Sequence, residues 1–153
     1  MSVNKSQIRK KILLIKKTKF NKNLKIDLNK FISFLKINKI NNKNFGGYYP
    51  TNYEIDDLNI LDFLEKKNFK ISLPVIKKDN QMNFYKWSKK DPLKINKFGI
   101  PEPVSTKIIY PDILLVPLVA YDSNLNRLGY GGGFYDRYIE KIEKIKKVIK
   151  IGL

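Results

Sequence analysis

Residues 127–138 read Arg-Leu-Gly-Tyr-Gly-Gly-Gly-Phe-Tyr-Asp-Arg-Tyr, with glycine at four of the five positions 129–133. Glycine tolerates positive φ and lets backbone N–H groups approach an anion closely, and a helix starting there adds its partial positive charge. The string is neither the Walker pattern nor G-x-G-x-x-G. Its spacing suits a phosphate cradle and equally a structural tight turn. Asp136 falls in the first turn of the following helix, where a carboxylate complements the helix dipole or ligates Mg²⁺ beside phosphates. Histidine and cysteine are both absent. That excludes disulfides, Cys/His zinc sites, Ser-His-Asp triads and cysteine nucleophiles. Any acid–base chemistry falls to carboxylates, lysine, tyrosine or bound water.

The elements around this segment follow from hydropathy patterning. Residues 112–120 are the most hydrophobic strand, of the doubly buried kind found in parallel sheets. A short turn at 122–126 leads into the glycines, then a helix runs over 134–145 and a strand over 147–151. Upstream, residues 4–19 form an amphipathic helix, with Ile8, Ile12 and Ile15 on its apolar stripe and Arg9, Lys10, Lys16 and Lys17 elsewhere. Asp27 is a good N-cap for a second helix through Phe31, Ile32 and Leu35. A polar break at 38–44 precedes a short strand at 45–49. Thr51 or Asn52 caps a third helix over 54–67, with Ile55, Leu58, Leu61 and Leu64 as its stripe. Strands follow at 71–76 and 82–87, and residues 88–103, with three prolines, read as a loop. Trp87 belongs to the core or to a pocket wall, and Tyr135 and Tyr138 pack on their helix. Strands alternating with helices predict an α/β domain with a mostly parallel sheet flanked by helices.

The chain has 153 residues, which suits one domain, and carries Lys+Arg 31 against Asp+Glu 14, a formal charge of +17. Hydrophobic residues at 42% exclude a disordered polyelectrolyte. Residues 1–47 hold +12 of that charge, and the rest is close to balanced. A basic segment points towards polyanions. However, the basic residues are 28 Lys and 3 Arg, beside 16 Asn and 21 Ile, a composition that AT-rich codons produce on their own. Arginine, the better residue for bidentate phosphate or base readout, is scarce. The N-terminus has neither the apolar run of a signal peptide nor the Arg/Ser content of a transit peptide, and residues 113–121 are too short to span a bilayer. A cytoplasmic protein is expected.

The strings Pro117-Leu118-Val119-Ala120-Tyr121-Asp122 and Arg127 to Tyr138 together resemble the signature of the 5-formyltetrahydrofolate cyclo-ligases, also called methenyltetrahydrofolate synthetases. The likeness extends to Lys5-x-x-x-Arg9, to Tyr49-Pro50 with Glu54, to Phe98-Gly99-Ile100-Pro101-Glu102-Pro103 and to the strand Ile113-Leu114-Leu115-Val116. The resemblance implies an ATP- and Mg²⁺-dependent enzyme that turns 5-formyltetrahydrofolate into 5,10-methenyltetrahydrofolate, releasing ADP and phosphate. It also implies the α/β fold shared with ribose-5-phosphate isomerase and CoA-transferases. By position, Lys5, Ser6, Gln7, Ile8 and Arg9 would serve ATP, with Arg9 also approaching the substrate. Arg127, Leu128, Gly129, Tyr130, Gly131, Gly132, Gly133, Phe134 and Tyr135 would form the ATP loop. Tyr49, Glu54, Tyr130 and Phe134 would line the folate pocket with Arg9, and Asp136 would ligate Mg²⁺.

The implied mechanism phosphorylates the formyl oxygen from ATP, after which N10 attacks the activated carbon and phosphate departs. Positioning and charge neutralisation carry such a reaction, and it needs neither histidine nor cysteine. Lys5 and Arg9 lie one helical turn apart and can share a ligand, although a solvated lysine-rich face places them there as well. Glu54 is a substrate contact or only a first-turn helix charge. Family members resembling this one continue past residues 152–153 into a segment that bears a further Asp and a last strand. A single domain incomplete at its C-terminus is therefore expected. The partners expected are 5-formyltetrahydrofolate and ATP on a monomer, with no nucleic acid or membrane. The competing readings are a shortened non-catalytic paralogue that binds folate or nucleotide, and a basic nucleic-acid-binding module.

Overall fold

The computed structural model describes residues 4–21, 25–41 and 44–153. Chain order is α1 (Lys5–Lys19), α2 (Leu28–Ile37), β1 (Asn44–Gly46), α3 (Leu58–Lys66), β2 (Lys70–Ile76), β3 (Met82–Lys86), β4 (Leu93–Ile95), β5 (Pro101–Pro103), β6 (Ile113–Val116), β7 (Ala120–Tyr121), β8 (Arg127–Leu128), α4 (Phe134–Glu143) and β9 (Ile149–Gly152). Five strands form one sheet in the order β3-β2-β1-β6-β9. The β1–β2, β1–β6 and β6–β9 pairs are parallel, and β3 runs antiparallel to β2. This is the mostly parallel α/β sheet that the alternation of elements predicts.

β6 shows why the sheet needs helices on both faces. Side chains alternate across a strand, so Ile113 and Leu115 pack with Phe31, Leu35, Ile60, Leu61 and Leu64 of α2 and α3. Leu114 and Val116 point the other way, onto Tyr138 and Ile142 of α4. All four β6 residues are at most 2% exposed. Trp87 is buried in the first cluster, and Tyr138 packs against Phe84 in the second. Asp27 caps α2 as its sequence position predicts, accepting from the N–H groups of Asn29 and Lys30 at 2.9 and 3.1 Å.

Four expectations change. α3 begins at Leu58, not at residue 54: Asp57 is its N-cap without a side-chain cap bond, and the Asp56 carboxylate just before it takes the Leu58 N–H at 2.9 Å, in place of Thr51 or Asn52. Residues 51–54 close their own tight turn, with left-handed φ of 48° at Asn52 and 64° at Tyr53. The stripe of α3 shifts accordingly, with Ile60 buried and Ile55 and Leu58 only half-buried.

Residues 88–103 contain a hairpin, β4 paired antiparallel with β5. Buried Glu102 staples it to the sheet by accepting from the Ile76 N–H and the Asn96 side-chain amide, each at 3.2 Å. The strand expected over 112–120 stops at Val116, since Pro117 has no N–H to continue the ladder. β7 and β8 then form a separate antiparallel pair that carries the chain to the glycines.

α1 differs in its orientation. Its inward face is Arg9, Ile12, Leu13 and Lys16, spaced i, i+3, i+4 and i+7, while Ile8 and Ile15 are 37% and 45% exposed. Two cations placed off the apolar stripe thus face the body. The reason is two open carbonyls: Arg9 Nε donates to Gly129 O at 2.7 Å, and Lys16 Nζ to Leu118 O at 3.0 Å. α1 has no fully buried residue, so polar bonds at its two ends dock it.

Candidate active site

The central strand β1 has β2 on one side and β6 on the other, reached by connections in opposite directions. In open α/β sheets ligands bind beyond the carboxyl ends of strands at such a point. There the chain leaves β1 through Tyr48 and Tyr49 and leaves β6 through Pro117, and a cleft of about 530 Å³ opens between them. Its floor includes Pro74, Ile76 and Met82 of β2 and β3. Arg9, Glu54, Arg127 and residues 129–136 complete the wall, and Phe98, at the tip of the β4–β5 hairpin, stands at its rim.

The glycine segment is the turn that starts α4. Gly131 and Gly133 have φ of 105° and 67°, which side chains rarely adopt, and Gly133 is the N-cap. No side chain caps α4, so the amides of its first turn are left for another acceptor. Arginine occurs at three positions in this lysine-rich chain, and all three meet this turn. Arg9 holds Gly129 O, and a Cβ on Gly131 would stand 3.5 Å from its guanidinium. Arg127 lies against Gly129, where an added Cβ would be 2.7 Å from Nη1, and donates to Pro117 O at 3.2 Å. Arg137 donates to Gly132 O at 2.9 Å. Sequence reasoning did not single out Arg137; the signal was there in the scarcity of arginine.

The opposite wall is aromatic and holds one carboxyl. Glu54 Oε2 accepts from the Thr51 N–H at 2.7 Å and the Thr51 hydroxyl at 3.3 Å. Burial pushes the Glu54 carboxyl up to about 7, against the two Thr51 hydrogen bonds and the attraction of Lys16. Burial likewise lifts the hydroxyls of Tyr48, Tyr130 and Tyr135 above the usual phenol range, which keeps them neutral. Tyr130 reaches across the cleft towards Asn52 O at 3.5 Å, and Phe98 meets Phe134 edge to face at 5.8 Å. Asp57 lies fully buried behind this wall and takes the Tyr48 N–H at 3.1 Å.

A raised carboxyl carries a pH signature. Between the ordinary value of 4.5 and about 7 the folded chain binds more protons at Glu54 than the unfolded chain, so stability falls as pH rises through that window. Glu54→Gln removes this contribution. The variant is expected to melt higher than the parent above pH ~7 and no higher below pH ~4.5 in thermal scans. A parent-minus-variant difference that does not change with pH would contradict this.

Asp136 lines the cleft, largely exposed, and pairs with Arg127 Nη2. Among the described residues no group of three or more His, Cys, Asp or Glu side chains comes together to hold a metal. One carboxylate beside the glycine turn would fit a Mg²⁺ carried in by a ligand and does not fit a dedicated all-protein cage. Of the positions carried over by resemblance, Arg9, Tyr49, Glu54, Arg127, residues 129–135 and Asp136 converge on the cleft. Lys5, Ser6, Gln7 and Ile8 lie exposed on the first turns of α1, and Leu128 faces Ala120 in the β7–β8 pair, all outside the cleft wall. Thr51 and Asn52, read only as helix caps, Lys16, read as a helix cation, and Phe98, read as part of the Phe98–Pro103 string, enter the site or its support.

The chain is 36% identical over 118 residues to the 5-formyltetrahydrofolate cyclo-ligase of Haemophilus influenzae, covering 72% of this chain and 63% of that one. The chain therefore spans somewhat under two thirds of that relative's length. The Mycoplasma genitalium 5-formyltetrahydrofolate cyclo-ligase is 31% identical over 157 residues, covering 99% of this chain and 84% of its own. The structure of Aquifex aeolicus 5,10-methenyltetrahydrofolate synthetase superposes with a TM-score of 0.74 at 30% identity, over 99% of this chain and 77% of that one. The Mycoplasma pneumoniae synthetase shares the fold, with a TM-score of 0.64 at 22% identity. The family model of the 5-formyltetrahydrofolate cyclo-ligases matches residues 1–153 from end to end, and the chain belongs to that family.

Proposed function

We propose that the cleft binds 5-formyltetrahydrofolate and ATP together and closes the folate ring to give 5,10-methenyltetrahydrofolate, ADP and phosphate. The observation that carries this reading is the uncapped glycine turn, met by all three arginines and flanked by Arg9 and Arg127 in the same cleft as an aromatic wall. A cleft with a cationic phosphate end and an apolar aromatic end suits a nucleotide facing a flat heteroaromatic substrate.

These placements support the following chemistry. The formyl oxygen attacks the γ-phosphorus, the bond to the β-phosphate oxygen breaks, and ADP leaves. N10 then adds to the activated carbon, its proton is lost, and the C–O bond breaks to release phosphate. Arg9 and the amides of the glycine turn bear the charge that develops on the transferring phosphoryl group. Asp136 would hold Mg²⁺, which supplies further neutralisation of phosphate charge when bound. Glu54 and the neutral tyrosines hold the folate so that formyl oxygen and γ-phosphate meet, a matter of orientation. Phe98 and Phe134 exclude water from the phosphorylated formyl group. The test is binding of both ligands to the purified chain by calorimetry. Saturable binding of each, abolished for nucleotide by Gly132→Asp, is expected, and nucleotide binding that Gly132→Asp leaves intact would sink the reading.

A further inference from the structure

Arg137 is exposed on α4 and does not line the cleft, yet its guanidinium is held by backbone and ring. Nη2 donates to Gly132 O at 2.9 Å and to Asn80 O at 3.0 Å. The guanidinium also lies over the Phe134 ring at 5.2 Å. A Cβ on Gly133 would come within 2.7 Å of Nη1, so the fit is as close as glycine allows. The Asn80 carbonyl is offered by the turn between β2 and β3, where Asp79 and Asn80 both take left-handed φ, 58° and 57°. Arg137 thus fastens the glycine turn to a second turn across the sheet.

The peptide bond converts this anchor into an aim. Across a planar trans peptide, the carbonyl of one residue and the N–H of the next point in opposite directions. Fixing the Gly132 oxygen on Arg137, outside the cleft, turns the Gly133 N–H away from Arg137. Gly132 and Gly133 both line the cleft, so that direction is inward. Arginine suits the role because its planar fork lies on an aromatic face while it donates to two carbonyls, whereas an ammonium has no plane to stack. In a chain with 28 lysines and three arginines, one of the three stands at this position.

We propose that Arg137 is a positioning residue for nucleotide binding, pinning the Gly132 carbonyl so that the Gly133 N–H faces the phosphate. This rests on the reading of the glycine turn as the nucleotide site. The test measures affinity for a non-hydrolysable ATP analogue with Mg²⁺, and separately for 5-formyltetrahydrofolate, in the parent, Arg137→Gln, Arg137→Lys and Gly131→Val. Arg137→Gln is expected to weaken the nucleotide by about tenfold and to leave folate affinity and the melting temperature nearly unchanged. Arg137→Lys should recover part of the loss. Parent-like nucleotide affinity in Arg137→Gln, alongside lost binding in Gly131→Val, overturns the role of Arg137 alone. Equal losses for nucleotide and folate reduce Arg137 to a general structural contact and overturn it as well. Parent-like nucleotide binding in Gly131→Val overturns the nucleotide site itself. Should Arg137→Gln not fold, the Gly133 amide resonance of the parent decides: a large shift on adding the analogue supports the proposal, and none refutes it.

Discussion

Arg9→Ala is expected to lower kcat/KM by about 10²–10³-fold in a protein that folds normally. The side chain combines two tasks. Its Nε holds Gly129 O at 2.7 Å, and the rest of its guanidinium faces the cleft beside Gly131. Alanine frees the carbonyl that fixes the turn and removes a cation from the place where the proposed reaction would develop phosphoryl charge. The fold survives because α1 buries no residue completely and keeps Ile12, Leu13 and the Lys16 bond to Leu118 O. Arg9→Lys should lie between the two, since it keeps the charge but not the fork. Steady-state kinetics with ATP as the varied substrate, paired with near-ultraviolet circular dichroism, checks this. A native spectrum with kcat/KM close to the parent value would remove Arg9 from the reaction.

The largest effect on stability belongs to Gly47. It follows β1 directly, where the chain passes α3 on its way to Tyr48 and Tyr49. A Cβ there would stand 2.5 Å from Leu61 Cδ1 and 2.9 Å from Asp57 Oδ2, both on buried side chains. Overpacking by a methylene or more costs about 1–3 kcal/mol, and valine adds three carbons. Gly47→Val is expected to destabilise by about 4 kcal/mol or more, a large share of a typical domain's stability. Because Asp57 also accepts the Tyr48 N–H, the strain passes straight into the cleft wall. Denaturant melts measure it. A midpoint near that of the parent would show that the contact between β1 and α3 is looser than described.

These two positions also show what a sequence can and cannot reveal. The Asp27 cap, the doubly buried β6 and the glycine turn leading into α4 were legible because each is a local signal with one dominant cause. The face of α1 was not. With isoleucine spread through the chain, Ile8, Ile12 and Ile15 make a stripe by composition, while the true face is set by two distant carbonyls, Gly129 O and Leu118 O. The start of α3 was missed because Thr51 and Asn52 are good caps in isolation, yet the Asp56 carboxylate, nearer in sequence, takes the Leu58 N–H. The β4–β5 hairpin hid behind its prolines, since its register rests on Glu102 reaching Ile76 of another strand. Among site residues, the glycines and Arg9 stood out, but Arg137 acts on two backbone carbonyls and Thr51 gives its N–H and hydroxyl to the Glu54 carboxylate, contacts that only the fold brings about. Charge does not mark the site either: +12 lies in residues 1–47, yet among the described residues of that segment only Arg9 reaches the cleft wall.

The central claim is that one cleft brings ATP and 5-formyltetrahydrofolate together for ring closure. Its most direct measurement follows product formation by the purified 153-residue chain with Mg²⁺, ATP and 5-formyltetrahydrofolate, recording the methenyl chromophore and released phosphate together. The account predicts that both appear in equal amounts, only when ATP and folate are present together, and that both vanish in Arg9→Ala. Chromophore without phosphate, phosphate without chromophore, or neither from a protein that binds both ligands would contradict it.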